Sequence, residues 1–125
     1  MLGQKNAAAN IAVKDLGRAQ KFYEGTLGLK ESGREGGEVI AYASGNSTIL
    51  VYRSEYAGTN KATCMTWIVG DDVEGVAREL KSKGVAFEHY DMPGMKLEGD
   101  VHVGHGMKVA WFKDPDGNIL NIASG

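Results

Sequence analysis

The chain has 125 residues, of which 42% are hydrophobic and 24% are charged, and its formal net charge is −2. This length and apolar content are typical of one domain with its own core. A weakly acidic chain lacks the basic surface that nucleic-acid phosphates require, so no nucleic-acid partner is predicted. We see no basic segment followed by an apolar run at the N-terminus, and no apolar stretch near the roughly 20 residues that span a bilayer. These features favour a cytoplasmic protein without a membrane partner.

The first half of the chain alternates strand and helix signals. An apolar strand over residues 7–13 is followed by Asp15, a residue type that favours helix N-caps. Apolar residues recur at helical spacing over residues 16–23, and Gly28 ends that pattern. Three strand-like segments separated by glycine-containing turns follow, over residues 29–33, 38–43 and 48–53.

The second half repeats the same order. A strand is predicted over residues 63–69, and Asp71 or Asp72 caps a helix predicted over residues 73–83. Residues 91–106 are rich in glycine and predict a long, mobile loop. Further strands are predicted over residues 85–90, 107–113 and 119–123.

The repeated order indicates an α+β fold, in which two βαβββ modules pack together because neither closes a core alone. In one domain over residues 1–125, the first module spans about residues 6–54, a linker spans 55–62, and the second spans about 63–125. The alternative is a mixed α+β sandwich without internal symmetry. The single cysteine, Cys64, excludes an intrachain disulfide and is interpreted as a small buried apolar residue, with a nucleophile as the alternative.

Three motifs carry a family resemblance. Val-Lys-Asp-Leu at 13–16 precedes Phe-Tyr at 22–23 and Leu-Gly-Leu at 27–29, and Val-Gly-Asp-Asp at 69–72 opens the second helix. Asp-Pro-Asp-Gly-Asn at 114–118 predicts a β-hairpin turn before the last strand. In this order, over nearly the whole chain, they resemble the vicinal oxygen chelate superfamily of glyoxalases, bleomycin-resistance proteins and extradiol dioxygenases. The resemblance implies a curved, barrel-like mixed sheet around a cleft, with helices outside, and a homodimer.

The resemblance also implies where a divalent metal would bind. Metal-dependent members use ligands on the first and last strands of the modules, and these places fall on Ala8, Met65 and Asn121, with a fourth near Val51. None of these residues offers the imidazole nitrogen or carboxylate oxygen that such ions prefer. We therefore predict a metal-free protein without a cofactor.

Strand alternation predicts which side chains face the cleft. Asn10 on the first strand, Met65 and Trp67 on the first strand of the second module, and Trp111 and Asn121 near the C-terminus are assigned to it. Indole faces stack on aromatic ligands, although either tryptophan could instead fill the core. The side-chain amides of Asn10 and Asn121 could orient a ligand or form a hydrogen bond with each other.

The predicted ligand-binding set combines these positions with other polar and aromatic residues. Residues 52–63 are polar and are interpreted as part of the cleft rim or a partner contact, with a solvated linker as the alternative. The full set is Asn10, Tyr52, Ser54, Tyr56, Asn60, Met65, Trp67, Tyr90, His102, Trp111 and Asn121.

Two classes of function are favoured, and a metal-independent acid–base enzyme and a regulatory domain without a ligand are further alternatives. Resemblance to bleomycin-resistance-type members implies that the protein sequesters a bulky, apolar or aromatic compound such as an antibiotic. The alternative is a glyoxalase-like or dioxygenase-like enzyme with a non-standard or absent metal site, for which His102 and His105 are candidate catalytic residues. These two residues and His89 form, with nearby carboxylates, the one cluster of metal-ligand types, and local hydrogen bonds within the loop are the alternative role.

Overall fold

The computed structural model describes residues 1–125 as two compact units, Met1–Thr59 and Asn60–Gly125. Each unit combines one helix with a mixed sheet, and in each the strand before the helix pairs in parallel with the last strand. The predicted α+β class with two βαβββ modules is therefore confirmed. None of the helices has the length and apolar character needed to cross a bilayer.

The helix of the N-terminal unit begins as predicted. Asp15 Oδ1 accepts hydrogen bonds from the backbone N–H groups of Gly17 at 2.8 Å and Arg18 at 3.2 Å, which satisfies two donors of the first turn. Helix α1, Leu16–Gln20, continues as a π-helical segment, Lys21–Thr26. Gly28 ends it at a φ of 77°, a left-handed conformation that costs glycine little.

The sheet of the N-terminal unit has the order β1-β4-β3-β2. Its strands are β1 (Ala8–Val13), β2 (Lys30–Glu35), β3 (Val39–Ser44) and β4 (Ser47–Arg53), and a short 3-10 helix, Leu2–Gln4, precedes them.

One face of this sheet packs on α1 and forms the core. Ile40 and Val51 are paired and fully buried on it, and Tyr42 stacks on Tyr23 of the helix at 6.3 Å. The Tyr42 hydroxyl donates a 2.8 Å hydrogen bond to Glu24, which satisfies the polar end of a buried ring. The helix side of the strands therefore carries most of this unit's apolar burial.

The C-terminal unit has a six-stranded sheet of order β5-β10-β9-β8-β7, with β6 also paired to β9. Asp72 Oδ1 accepts the Gly75 N–H at 3.1 Å and caps helix α2, Val73–Ser82. The strands are β5 (Thr63–Ile68), β6 (Phe87–Glu88), β7 (Lys96–Glu98), β8 (Val101–Gly104), β9 (Met107–Lys113) and β10 (Ile119–Ala123).

Two predictions for this unit are wrong. The strand predicted over residues 85–90 is reduced to the two residues of β6. Residues 91–106 are not one long loop, because β7 and β8 pair there as an antiparallel hairpin. The hairpin turns at Gly99, whose φ of 65° a side chain would strain. Its strands are short and rich in polar residues, so neither alternation nor β-propensity identified them.

The turn between β9 and β10 is the predicted hairpin, and a buried carboxylate organises it. Asp114 Oδ1 accepts the backbone N–H groups of Asp116 and Asn118, each at 2.9 Å. Asp114 Oδ2 accepts the Asn118 side-chain amide at 2.8 Å, and Gly117 supplies the positive φ of 89°. Only 5% of the Asp114 surface is exposed, so these bonds lie largely out of water.

We predict that Asp114→Ala destabilises the protein by about 2–4 kcal/mol, because it leaves several buried donors without an acceptor. Urea unfolding followed by circular dichroism measures the change. Asp91→Ala is the matched control, since Asp91 is exposed, and it should change the free energy of unfolding by less than about 0.5 kcal/mol. Equal stability of the two variants would contradict this role of Asp114.

Candidate functional site

A cavity of about 440 Å³ lies on the sheet of the N-terminal unit, on the face opposite α1. This volume is within the range of small-molecule sites, roughly 300–1,000 Å³. We call it the Tyr52 pocket. Its lining residues are Asn10, Gly33, Arg34, Glu35, Val39, Ala41, Leu50 and Tyr52.

Strand register explains why a pocket forms here. Asn10 pairs with Leu50, Leu50 with Ala41, and Ala41 with Gly33, so the four residues form one row across the sheet. The row is small at its β2 end, where a Cβ placed on Gly33 would lie 4.0 Å from the Ala41 Cβ. Small side chains between larger ones leave the space that a ligand could fill.

The next row of the sheet supplies polar groups. Tyr52 pairs with Val39, and Val39 pairs with Glu35. Arg34 pairs with Ile40 and donates to Gln20 of α1 at 3.2 Å, so its side chain lies on the helix face, opposite the pocket. Its guanidinium also donates to Glu31 at 2.8 Å. That hydrogen bond raises the pKa of Arg34 and lowers the pKa of Glu31, so both stay charged at neutral pH.

Of the predicted ligand-binding residues, Asn10 and Tyr52 lie in this pocket. Sequence reasoning did not find Glu35, because β2 extends to this residue whereas the strand was predicted to end at residue 33. Val39, Ala41 and Leu50 were also missed, although their place on the same face follows once the pairing of β3 and β4 is known.

Four further predicted residues converge in the C-terminal unit. The Trp111 ring lies 4.9 Å from the His102 ring and 5.5 Å from the Tyr90 ring, edge-on to both. Asn121 is the direct cross-strand partner of Trp111. His102, Trp111 and Asn121 are all at least nine-tenths buried. We call these four residues the Trp111 cluster.

Residues 91–95 cover this cluster, and we call them the strap. Side chains of Tyr90, Met92 and Met95 pack against Trp111 and its neighbours Val109 and Ala123. The Trp111 indole N–H, in turn, donates a 3.0 Å hydrogen bond to Thr63 Oγ1. The indole is therefore fixed at its polar end by β5 and covered on its apolar surface by the strap.

The predicted orientation of β5 is wrong by one residue, and Cys64 on this strand is exposed rather than buried as predicted. Met65 pairs with Leu120 and Trp67 with Ile122, so both lie on the face of these buried β10 residues. Trp67 stacks on Phe112 at 6.4 Å with an interplanar angle of 19°. The strand has apolar residues on both faces, so alternation could not determine which face is inward.

The predicted residues between the modules form local turns. Ser54 Oγ accepts the Tyr56 N–H at 3.1 Å, and the Asn60 side chain bonds both the N–H and the carbonyl of Ala62. Tyr56 is 71% exposed. These are the hydrogen bonds of Asx and Ser turns, and they are typical of a solvated linker, the alternative interpretation of residues 52–63.

The places of the family's metal ligands do not fit a metal ion. Within the N-terminal unit, Ala8 shares the face of Asn10, whereas Val51 is buried on the helix face. Within the C-terminal unit, Met65 and Asn121 lie on opposite faces of the sheet. No group of three or more His, Cys, Asp or Glu side chains is placed to hold a metal.

The three histidines do not converge, and each has its own partner. His89 Nε2 lies 2.8 Å from Asp100 Oδ1, and this contact, with that of Lys81, lowers the pKa of Asp100. His105 Nε2 lies 3.2 Å from the Pro93 carbonyl oxygen. His102 Nε2 contacts the backbone of Tyr90.

The chain belongs to the glyoxalase/bleomycin resistance protein/dioxygenase superfamily, whose family model matches residues 6–122. The fold resembles a lactoylglutathione lyase from Agrobacterium tumefaciens, with a TM-score of 0.72 and 16% identity over 96% of this chain and 92% of that one. It also resembles TnmS3, an antibiotic-binding protein from Streptomyces sp. CB03234, with a TM-score of 0.62 and 21% identity over 98% and 96%.

A third similar structure is the fosfomycin resistance protein FosX from Mesorhizobium loti. Its TM-score is 0.69 at 14% identity, over 98% of this chain and 92% of that one. No curated protein matches the sequence. At these identities the three structures establish a shared fold, and their different activities leave the function to be argued from the site.

We predict that Thr63→Val destabilises the protein by about 1 kcal/mol, because it removes the acceptor of the Trp111 indole N–H. Thr66→Val is the matched control on the same strand, since Thr66 is exposed and should tolerate the change. Urea unfolding compares the two. A Thr63→Val variant as stable as the control would show that the indole N–H does not depend on this bond.

Proposed function

We propose that the protein binds a small, partly aromatic molecule without a metal and releases it chemically unchanged. The Tyr52 pocket carries this proposal, because it combines an apolar lining with a few polar side chains, as small-molecule sites commonly do. The fold similarity to an antibiotic-binding protein supports sequestration of an antibiotic-like compound.

The pocket's chemistry favours a ligand with apolar bulk and neutral polar groups. Leu50, Val39 and Ala41 would exclude water from the apolar part of the ligand. The Asn10 amide and the Tyr52 hydroxyl each donate and accept hydrogen bonds, so they would orient a carbonyl or hydroxyl group without requiring charge.

The donor chemistry at the family's metal places favours binding over metal-assisted turnover. Ala8 has no donor atom, Met65 has a soft thioether that faces away from Asn121, and Asn121 has a neutral amide. These residues offer no carboxylate or imidazole that would hold a metal ion as a Lewis acid for the vicinal oxygens of a substrate.

We further propose that the protein is a homodimer. β1 and β2 form the two edges of the N-terminal sheet, and each pairs with one strand of its own unit. Exposed sheet edges in stable proteins are usually covered, which a second copy of the chain would provide. Light scattering at micromolar concentration should give twice the 13.4 kDa chain mass. A monomer mass would contradict the proposal.

The pocket is tested by filling it. Ala41→Phe places a ring in the central row of the Tyr52 pocket, whereas Ala43→Phe places the same ring two residues along the same face, outside the lining set. Bleomycin and a panel of aromatic antibiotics are screened by thermal melting. A compound at 100 times its Kd should add about 2.7 kcal/mol to the stability of the parent and of Ala43→Phe.

Ala41→Phe should remove that stabilisation while the unliganded variant still melts cooperatively. Loss of stabilisation in both variants, or in neither, would contradict a site at the Tyr52 pocket. Mass spectrometry should then recover the compound unchanged. A new product that requires the protein and disappears with His102→Ala would instead identify an enzyme.

A further inference from the structure

The pocket face of the N-terminal sheet carries charged side chains at its two ends, Lys30 and Glu35. Strand pairing places Glu35 in one row with Val39 and Tyr52, and places Lys30 opposite Ala43 at the other end of the face. Of the two, only Glu35 lines the Tyr52 pocket. The charge presented to this pocket by a side chain is therefore negative.

Glu35 has no ion-pair partner in the chain. Its neighbour Arg34 lies on the helix face, where it donates to Glu31 and Gln20. Lys30 and Glu35 pair with residues of β3 that are four positions apart, which separates them by roughly 13 Å. This separation exceeds the screening length of about 8 Å at physiological ionic strength, so Lys30 has little effect on the carboxylate.

The other carboxylates of the β2–β3 hairpin do have partners. Glu31 accepts a hydrogen bond from Arg34 at 2.8 Å, and Glu38 accepts one from Arg53 at 2.8 Å. Glu35 is the exception, and it is also the carboxylate of this hairpin that lines the pocket. A carboxylate without an internal partner is available to a cation from solution.

Two neutral polar side chains of the pocket share this property. The Asn10 amide and the Tyr52 hydroxyl form no side-chain hydrogen bond within the chain, whereas the Tyr42 hydroxyl on the helix face donates to Glu24 at 2.8 Å. An amide, a hydroxyl and a carboxylate thus line one cavity without protein partners. In small-molecule sites, a few polar groups placed in this way orient the ligand and determine specificity.

We propose that the ligand of the Tyr52 pocket carries a protonated amine, which donates to the Glu35 carboxylate while its aromatic part lies on the apolar lining. An ammonium group complements a lone carboxylate, because charge-assisted hydrogen bonds are stronger than neutral ones. This inference rests on the binding function proposed above, and it adds a charge to the neutral groups that Asn10 and Tyr52 would orient. Glu35 then determines specificity for basic over neutral compounds.

Tryptamine and tryptophol test the inference, because they share an indole and an ethyl chain and differ only in an amine in place of a hydroxyl. Titration calorimetry measures the affinity of both for the parent protein at low ionic strength. We expect tryptamine to bind about threefold to fivefold more tightly, since Glu35 is exposed and ion pairs at exposed carboxylates are weak. Added salt should reduce this difference, because it screens an exposed charge pair.

Substitutions of single carboxylates identify the group that recognises the amine. Glu35→Gln keeps the size of the side chain but removes its charge, so it should lower the affinity for tryptamine to that for tryptophol. Glu55→Gln is the matched control, since Glu55 is an exposed carboxylate of the same unit outside the pocket lining, and it should keep the preference. Glu35→Lys should reverse the preference, so that indoleacetate binds more tightly than tryptamine.

The possible outcomes separate this inference from the binding function itself. Equal affinity of the parent for tryptamine and tryptophol, with both lost in Ala41→Phe, would overturn the inference and leave the binding function intact. A tryptamine preference that survives in Glu35→Gln, or that Glu55→Gln also removes, would show that Glu35 does not recognise the amine. Binding of neither indole would also overturn the inference, and the antibiotic screen would then decide the binding function separately.

Discussion

The Asp114 carboxylate fixes the turn between β9 and β10, and much of the C-terminal unit depends on that turn. Its bonds to the Asn118 backbone and side chain hold the two strands in one register. In that register Trp111 lies opposite Asn121, and Phe112 lies opposite Leu120 on the other face. A slip of one residue would exchange the two faces, and would send the Trp111 cluster into the helix-side core.

The parts of the fold that were predictable from sequence are those set by local chemistry. Asp15 and Asp72 cap the two helices, and the Asp-Pro-Asp-Gly-Asn run forms its hairpin, because each side chain bonds the backbone within four residues of itself. Such bonds depend little on the rest of the chain. For the same reason, the paired order of strands and helix in both halves could be predicted without knowledge of tertiary packing.

The rest depends on pairing between distant segments. β5 carries apolar residues on both faces, and only its parallel pairing with β10 decides that Trp67 points to the core and Thr66 to the face of Asn121. Likewise, the convergence of His102 with Trp111 depends on the β7–β8 hairpin, which the polar and glycine content of the segment concealed. At the candidate sites, Asn10 was predicted from alternation and Tyr52 from the polar segment that it begins, whereas Glu35 lies beyond the predicted end of the second strand at residue 33.

The two faces of the N-terminal sheet have different roles, since one forms the core and the other forms the Tyr52 pocket. On the helix side, Ile40, Tyr42 and Val51 are fully buried and hold the unit together. On the pocket side, Gly33 and Ala41 are small, and larger residues there would reshape the cavity without entering that core. Because most destabilising substitutions act through the core, the pocket face can accumulate changes at little cost in stability. In such a protein, the pocket can evolve to bind a new compound through a few substitutions at alternate positions of three strands, while the core stays unchanged.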